Sequence, residues 1–331
     1  MSIPDVSVVM SVRNRSALLL DCLRGLADQT LPRHRFELVL VDNMSSEDLL
    51  AVAERGRREF GLNVRYTRTT ADNGPAPARN LGVSLAVGRI IAFTDSDCRP
   101  SPNWLASGLA EFADPAVALV TGPVLPKPGQ PITLTSKITF ITHNEHPTFP
   151  TANAFYRRTV FESFSGFDIS LSFRDPFDRS TECSDTDFAW RVIKAGHARR
   201  FASDAVIYHE VEELGVWRWM IEPTRLFVLP ALIRRHPELR AELLHCRIFF
   251  HYSSWLLYVG IVCLVAGALL WPWILLALPL LLLARGVQRT GSFNPLVLAR
   301  FSARVLIELP RIVLLDLSLI YGSVRFGALV L

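Results

Sequence analysis

The sequence predicts an α/β fold, a mostly parallel central sheet flanked by helices, with C-terminal membrane helices. Three observations carry this. Short β-branched or near-continuous apolar runs alternate with helical patterns over residues 5–210, the arrangement of a parallel sheet covered on both faces. Charged and apolar residues are mixed up to residue 215, as in a soluble enzyme, whereas 255–284 holds no charged residue. Arg247, Arg285, Arg289, Arg300, Arg304 and Arg311 bracket the apolar segments, as expected beside anionic headgroups.

The elements follow in order. Residues 6–12 are a β-branched strand ended by Arg13-Asn14-Arg15, and Ser16 is placed to cap a helix with Leu18, Leu19, Leu23 and Leu26 on helical spacing. A second apolar strand, 36–41, closes on Asp42-Asn43; 49–60 reads as a helix, 64–67 as a strand, 76–86 as a helix and 89–94 as a strand. A helix then begins near Trp104, and 117–122 is a strand leading into a loop with Pro123, Pro126, Pro128, Gly129 and Pro131. Residues 132–149 carry no clear pattern; 184–194 is a helix with acidic residues at its start and 205–208 a strand. Ligands of such sheets bind beyond the carboxyl ends of the strands, which singles out Arg13, Asp42 and Asp95.

The tail differs in kind. Residues 249–271 are long enough to span a bilayer, which takes about 20 apolar residues. Trp271-Pro272-Trp273 suits a turn at an interface, and 272–284 is short of a full span, so a helical hairpin or re-entrant arm is expected. Residues 312–331 are apolar but include Asp316 and Arg325, which would face protein in a span or water at an interface. Between the parts, 216–244 mixes Trp217, Trp219, Met220 and Phe227 with Arg218, Arg225, Arg234 and Arg235, the make-up of helices on a membrane surface or of amphipathic helices packed on the preceding domain. The expected division is 1–214, 215–248 as interfacial helices and 249–331 as membrane-embedded helices.

With 331 residues, 50% of them hydrophobic, the chain can bury one large α/β core besides this appendage. A net charge of +4 is modest and gives no nucleic-acid signature. Cys22, Cys98, Cys183, Cys246 and Cys263 show no metal-ligand spacing and fit a reducing compartment. The opening residues lead straight into a strand-like run with no secretory pattern, so the first domain is expected to face the cytoplasm.

Asp95-Ser96-Asp97 follows an apolar strand directly. Taken alone it reads as a turn, or as two carboxylates at a strand end that share a hard divalent cation, one of them free to hold a ribose. Its context is ordered: 6–14 ending in Arg13-Asn14, then 37–46 with Asp42-Asn43-Met44-Ser45-Ser46, then Ala78-Arg79-Asn80-Leu81-Gly82, then Ile91-Ala92-Phe93-Thr94-Asp95-Ser96-Asp97. In order and spacing, 5–210 closely resembles the family 2 glycosyltransferases, whose catalytic domain has the GT-A nucleotide-diphospho-sugar transferase fold. The resemblance implies a nucleotide-sugar donor and Mn2+ or Mg2+. It implies that Asp42 contacts the nucleobase, Arg79 holds the nucleotide or its diphosphate, Asp95 lies near the ribose and metal, and Asp97 ligates the metal in a DxD motif. Read as residues alone, Arg79 is equally an exposed helix arginine, Asp42 a helix cap or turn, and Arg13 lines the nucleotide pocket or faces solvent.

A second group is Ser184-Asp185-Thr186-Asp187-Phe188-Ala189-Trp190-Arg191, before Lys194-Ala195-Gly196. Relatives usually read Glu-Asp-x-Asp here, which makes Asp185 the catalytic base and puts Ser184 where a glutamate is usual. An alcohol needs such a carboxylate to take its proton during attack. Asp187 is the rival, although its place in the first helical turn favours a carboxylate for the dipole alone. Residues 151–158 resemble the segment lining the sugar pocket, with Asn153 a candidate sugar ligand or else a satisfied loop amide. His209 stands where some relatives place a further metal ligand, although a lone histidine is commonly structural.

The function expected is inverting transfer of a sugar to an acceptor hydroxyl of a glycan or a lipid-linked, membrane-proximal molecule in cell-envelope synthesis, at the cell membrane and in contact with its lipids. A processive polysaccharide synthase is the alternative, but Trp217-Arg218-Trp219 lacks the glutamine of the Gln-x-x-Arg-Trp motif. A non-catalytic membrane scaffold of the same fold is disfavoured by the intact set of Asp42, Arg79, Asp95, Asp97 and Asp185.

Overall fold

The computed structural model describes residues 3–331 apart from 73, 139 and 140. Val6–Val12 (β1), Phe36–Asp42 (β2), Val64–Arg68 (β3) and Ile90–Phe93 (β4) are parallel, in spatial order β4-β1-β2-β3. Between them run Ser16–Ala27 (α1), Leu49–Phe60 (α2) and Pro75–Leu85 (α3). Cys98–Pro100 (β5), Trp104–Ala110 (α4), Val117–Thr121 (β6), Val124–Pro126 (β7) and Ser136–Lys137 (β8) follow, then Ala154–Arg157 (β9) and Arg158–Ser163 (α5). Ser172–Arg174 (β10) and Ser180–Glu182 (β11) pair with each other before Ser184–Lys194 (α6). Ala198–Phe201 (β12), Ile207–His209 (β13) and Glu212–Glu213 (β14) complete the strands among the described residues.

The main sheet has the order β12-β6-β9-β4-β1-β2-β3. It is parallel except at β9, which runs antiparallel to both β4 and β6. The alternation of strands and helices gave no sign of this reversed strand. Its sequence, Ala154 to Arg157, is as apolar as its neighbours, and direction leaves no mark on a strand buried on both faces. The two faces explain the continuous apolar runs. Val6, Val8, Met10 and Val12 of β1 point into a core closed by α1, α2 and α4, while Val9 points into a second core closed by α3, α5 and α6. Gly82 lets α3 lie close on the sheet, since a Cβ there would meet Val9 Cγ1 at 2.5 Å.

Ser16 is not the cap of α1. Arg15 holds that position in a left-handed conformation with no side-chain cap. Glu47, from the turn after β2, instead accepts the backbone N–H groups of Arg15 (3.0 Å) and Ser16 (2.7 Å), doing from outside what a capping side chain does. The strand expected at 205–208 is displaced to Ile207–His209. Of the patternless segment 132–149, residues 139 and 140 lie outside the described ones.

The chain forms two compact units, one running to Phe173 and including Ser180–Gly215, the other made of Arg174–Arg179 and Val216–Leu331. The second holds Val216–Ile221 (α7), Leu229–Arg235 (α8), Leu239–Leu243 (α9), Tyr252–Leu269 (α10), Ala277–Thr290 (α11) and Pro295–Phe326 (α12). Residues 229–233 of α8 are buried and α8 packs on α12. Gly322 of α12 lies so close to the preceding 3-10 segment that a Cβ would meet Phe227 O at 2.1 Å. Trp219 is buried with Arg311 over its ring at 4.8 Å. Much of the apolar surface of 216–244 is thus covered from within this unit, by α12. Trp217 stays exposed against Phe177.

The arm expected to be short is longer. A 3-10 turn and α11 together carry Pro272–Thr290, 19 residues, long and apolar enough to cross a membrane by length and composition. The helix simply continues past Arg285, where counting uncharged residues stops. The side chains at 252, 253, 255 and 256 lie outside the described ones, and the remaining apolar stretch of α10, Leu257–Leu269, is shorter than a span. Asp316 of α12 faces protein and accepts from Ser254 Oγ at 2.6 Å.

Candidate active site

Three parallel strands deliver the first group of residues to one sheet edge. Arg13 follows β1, Asp42 ends β2 and Asp95 follows β4. The registers Val12↔Asp42 and Val9↔Phe93 put their exits side by side. The chain then turns at Asp95–Asp97 into β5, where Cys98 pairs with His209 of β13. That register brings His209 beside Asp97, whose carbonyl accepts Glu210 N–H at 2.9 Å.

Asp95, Asp97, Cys98 and His209 place one ligand atom each within 4.8 Å of one another. His209 Nδ1 lies 2.9 Å from the carbonyl of Glu210. A carbonyl only accepts, so in the neutral ring Nδ1 carries the proton and Nε2 turns its lone pair toward Asp97 Oδ1, 3.6 Å away. Two acceptors facing each other across that gap suit a cation. Burial pushes the Cys98 thiol well above its ordinary value, so it stays neutral and is a poor partner for a hard ion. Asp95, Asp97 and His209 therefore form a donor set that fits Mn2+ or Mg2+.

Arg79 is the hub of the second layer. Its place on α3 is 7% exposed, so it is no solvent-facing helix arginine. Nη2 donates to Asp95 Oδ1 at 2.8 Å and Nη1 to Glu182 Oε1 at 2.7 Å, and Glu182 Oε2 also accepts Ala76 N–H at 3.1 Å. Burial pushes the Glu182 carboxyl up despite Arg79, and Asp185 nearby pushes it further. Asp185, at the start of α6, accepts Thr186 N–H at 2.8 Å. Burial dominates its environment and raises its pKa against the pull of Arg79, with Asp95 adding to the rise. Asp187 is turned away: it is buried and pairs with Arg191 at 2.8 Å, and Arg191 also donates to the carbonyls of Phe164 and Gly166.

Glu182 was not among the residues expected from the sequence. Ser184, where the family resemblance implies a glutamate, is buried with a hydroxyl that meets no partner. Glu182 lies two residues earlier, at the end of β11. Arg15 was also missed. It pairs with Asp97 Oδ2 and lies 3.7 Å from Glu212. The polar run Arg13-Asn14-Arg15 was the available signal, and only the left-handed turn at Asn14 and Arg15 reveals which arginine points inward.

Asp42 is fully buried, its Oδ1 accepting Ser45 N–H and its Oδ2 the Tyr66 hydroxyl, both at 2.8 Å. Burial, with Asp42 adding to it, pushes the Tyr66 phenol up to about 12. Arg13 pairs with Asp72, which also accepts from Asn43 Nδ2 at 3.1 Å. Asn153 has the bonding of the satisfied amide, the second of its two readings. It is fully buried, donates to the carbonyls of Pro123 (2.9 Å) and Ala205 (2.7 Å), and accepts Trp104 Nε1–H at 2.9 Å. Its amide ties three segments together just outside β9, whose first residue, Ala154, pairs with Phe93 at the end of β4.

Two family models match the chain: "Glycosyl transferase family 2" over residues 7–167 and "Glycosyl transferase family group 2" over 90–287. The chain belongs to the family 2 glycosyltransferases. This glycosyltransferase is 28% identical over 223 residues to glycosyltransferase AglE of Haloferax volcanii, a match covering 65% of this chain and 69% of that one. It is 28% identical over 228 residues to the pre-mycofactocin glycosyltransferase of Mycobacterium tuberculosis, covering 62% of this chain but 43% of the relative. Among solved structures, the mannosyltransferase PcManGT from Pyrobaculum calidifontis, in complex with GDP-Man and Mn2+, superposes with a TM-score of 0.61 at 22% identity, covering 99% of this chain and 88% of that one. The fold of the glycosyltransferase is GT-A, with a parallel-rich central sheet.

Proposed function

We propose that this family 2 glycosyltransferase moves one sugar from a nucleotide-diphosphate donor to an acceptor hydroxyl, with inversion at the anomeric carbon. The observation that carries this reading is the pairing of two acidic centres through Arg79: the Asp95, Asp97 and His209 donor set on one side, Asp185 with its raised pKa on the other. The mannosyltransferase neighbour solved with GDP-Man and Mn2+ supports the same donor and metal classes here.

Asp97, Asp95 and His209 would hold Mn2+ or Mg2+, which would supply positive charge for the diphosphate. Asp95 and Asp97 take up that end of the donor, and Asp42 and Arg13, on the same sheet edge, mark the nucleoside side. Arg79 keeps Asp95 in place and holds Glu182 against it. Asp185 accepts the acceptor's proton as the hydroxyl oxygen bonds to the anomeric carbon. The bond from that carbon to the diphosphate oxygen breaks at the same time, and its electron pair leaves with the nucleotide. A carboxylate whose pKa is raised by burial is a better base for this step than an ordinary one.

The acceptor in this reading is lipid-linked or membrane-proximal, and the chain works at the cell membrane with 1–214 on the cytoplasmic side. The apolar helix Pro272–Thr290, long enough to cross a bilayer, supports the membrane location. Trp219, the aromatic after Arg218, is buried under Arg311 and has no glutamine at the motif position, which favours single-sugar transfer over processive synthesis.

A screen of UDP-, GDP- and dTDP-sugars tests the donor class by thermal shift and by nucleotide release, with Mn2+ and with EDTA. One nucleotide class is expected to stabilise the chain, and to do so only with Mn2+. Equal melting with every nucleotide sugar, with and without Mn2+, would overturn the reading.

A further inference from the structure

Three helices of the second unit, α10, α11 and α12, enclose a cavity of about 610 Å3, within the roughly 300–1,000 Å3 of small-molecule sites. Its lining combines two chemistries, apolar side chains and charged ones. The apolar lining includes Ile261 and Leu264 of α10, Leu281 of α11 and Phe301 of α12. Ile261 and Leu264 remain 46% and 53% exposed, so their side chains are open to a ligand. The charged lining consists of Arg285 and Arg289, one turn apart on α11, and Arg304 and Glu308 on α12. Arg304 Nε donates to Glu308 at 2.9 Å.

Three guanidinium groups against one carboxylate leave the hollow with a net positive charge of two, its histidine taken as neutral. A phosphate monoester carries about −1.5 to −2 near neutral pH, and guanidinium groups fork onto its oxygens. A carboxylate amphiphile brings half that charge. A sugar or nucleotide alone brings nothing to the apolar lining. We propose that this cavity binds a lipid whose headgroup is a phosphate monoester, with the arginines on the phosphate and a hydrocarbon chain along Ile261, Leu264 and Leu281. The inference does not rest on the glycosyl-transfer reading, since no donor, metal or base enters it.

The test uses the full chain in a neutral detergent and native mass spectrometry with dioleoyl phosphatidic acid. Dioleoyl phosphatidylcholine, oleate and inorganic phosphate are the competing probes. Phosphatidic acid is expected to remain bound, and millimolar inorganic phosphate is expected not to displace it. The double variant Arg285→Gln/Arg289→Gln is expected to lose at least about tenfold in affinity. Leu264→Trp, at a position open enough to take the larger ring, is expected to block the chain and cause a comparable loss with every charge in place. The melting temperature in detergent serves as the control for folding, and both variants are expected to keep it. Equal retention of phosphatidylcholine would make the hollow a hydrocarbon groove only, and displacement by inorganic phosphate an anion site only. Oleate bound as tightly would remove the phosphate. Wild-type affinity in both variants would remove the site. Each of these four results overturns the proposal.

Discussion

His209 Nε2 faces Asp97 Oδ1 at 3.6 Å while its Nδ1 is held by the carbonyl of Glu210. The tautomer is set by the backbone, so the ring is already oriented to share a cation with the carboxylate. His209→Ala is expected to weaken Mn2+ binding by at least about tenfold, the lower end of what losing even an orienting partner costs. Isothermal titration of Mn2+ in the presence of nucleotide measures it. Unchanged affinity would return His209 to a structural role.

Arg79 lies between Asp95 and Glu182 and answers both charges. Arg79→Met would leave two carboxylates without their counter-ion and is expected to destabilise the fold by about 3–5 kcal/mol, as broken buried pairs do. Arg79→Lys keeps the charge but not the fork, and should recover part of the loss. Denaturant unfolding of the three proteins gives the order; a fully stable Arg79→Met would contradict it.

Asp185 ties activity to stability in opposite directions. Burial raises its folded-state pKa, so above that value the folded protein carries a charge it disfavours. That cost is absent below the unfolded pKa, where both states are protonated. Asp185→Asn is therefore expected to melt higher than wild type at neutral pH, with the gain vanishing in acid. Transfer should fall on the order of 10²–10⁴-fold. In wild type the acidic limb of the rate profile should lie above the ordinary carboxylate value of about 3.9. A limb at or below that value would mean that burial does not govern the base.

Asn153 separates a structural amide from a ligand. Asn153→Ala leaves Trp104 Nε1–H and two carbonyls short of a partner inside the protein. A loss of about 1–3 kcal/mol is expected, with KM for the donor unchanged in the folded fraction. A raised KM without loss of stability would restore the sugar-contact role.

Much of this was legible in the sequence because it is local. The strand runs 6–12 and 36–42 are continuous where both faces are buried, and Asp42 and Asp95 mark the ends where a parallel sheet opens to ligands. The contacts that escaped depend on residues distant in the chain. Glu182 meets Arg79 across 103 positions, and Arg15 meets Asp97 across 82. Neither spacing has a period that a sequence displays. The cap of α1 escaped for the same reason, since Glu47 supplies it from the next turn. β9 escaped because a buried apolar strand reads alike in either direction.

The central claim is a division of labour between Asp97 and Asp185, and one paired assay addresses it. Mn2+-dependent nucleotide binding and nucleotide-sugar turnover are measured side by side in wild type, Asp97→Ala and Asp185→Asn. Asp97→Ala should lose both, whereas Asp185→Asn should keep binding and lose turnover. Full activity in both variants would contradict the account.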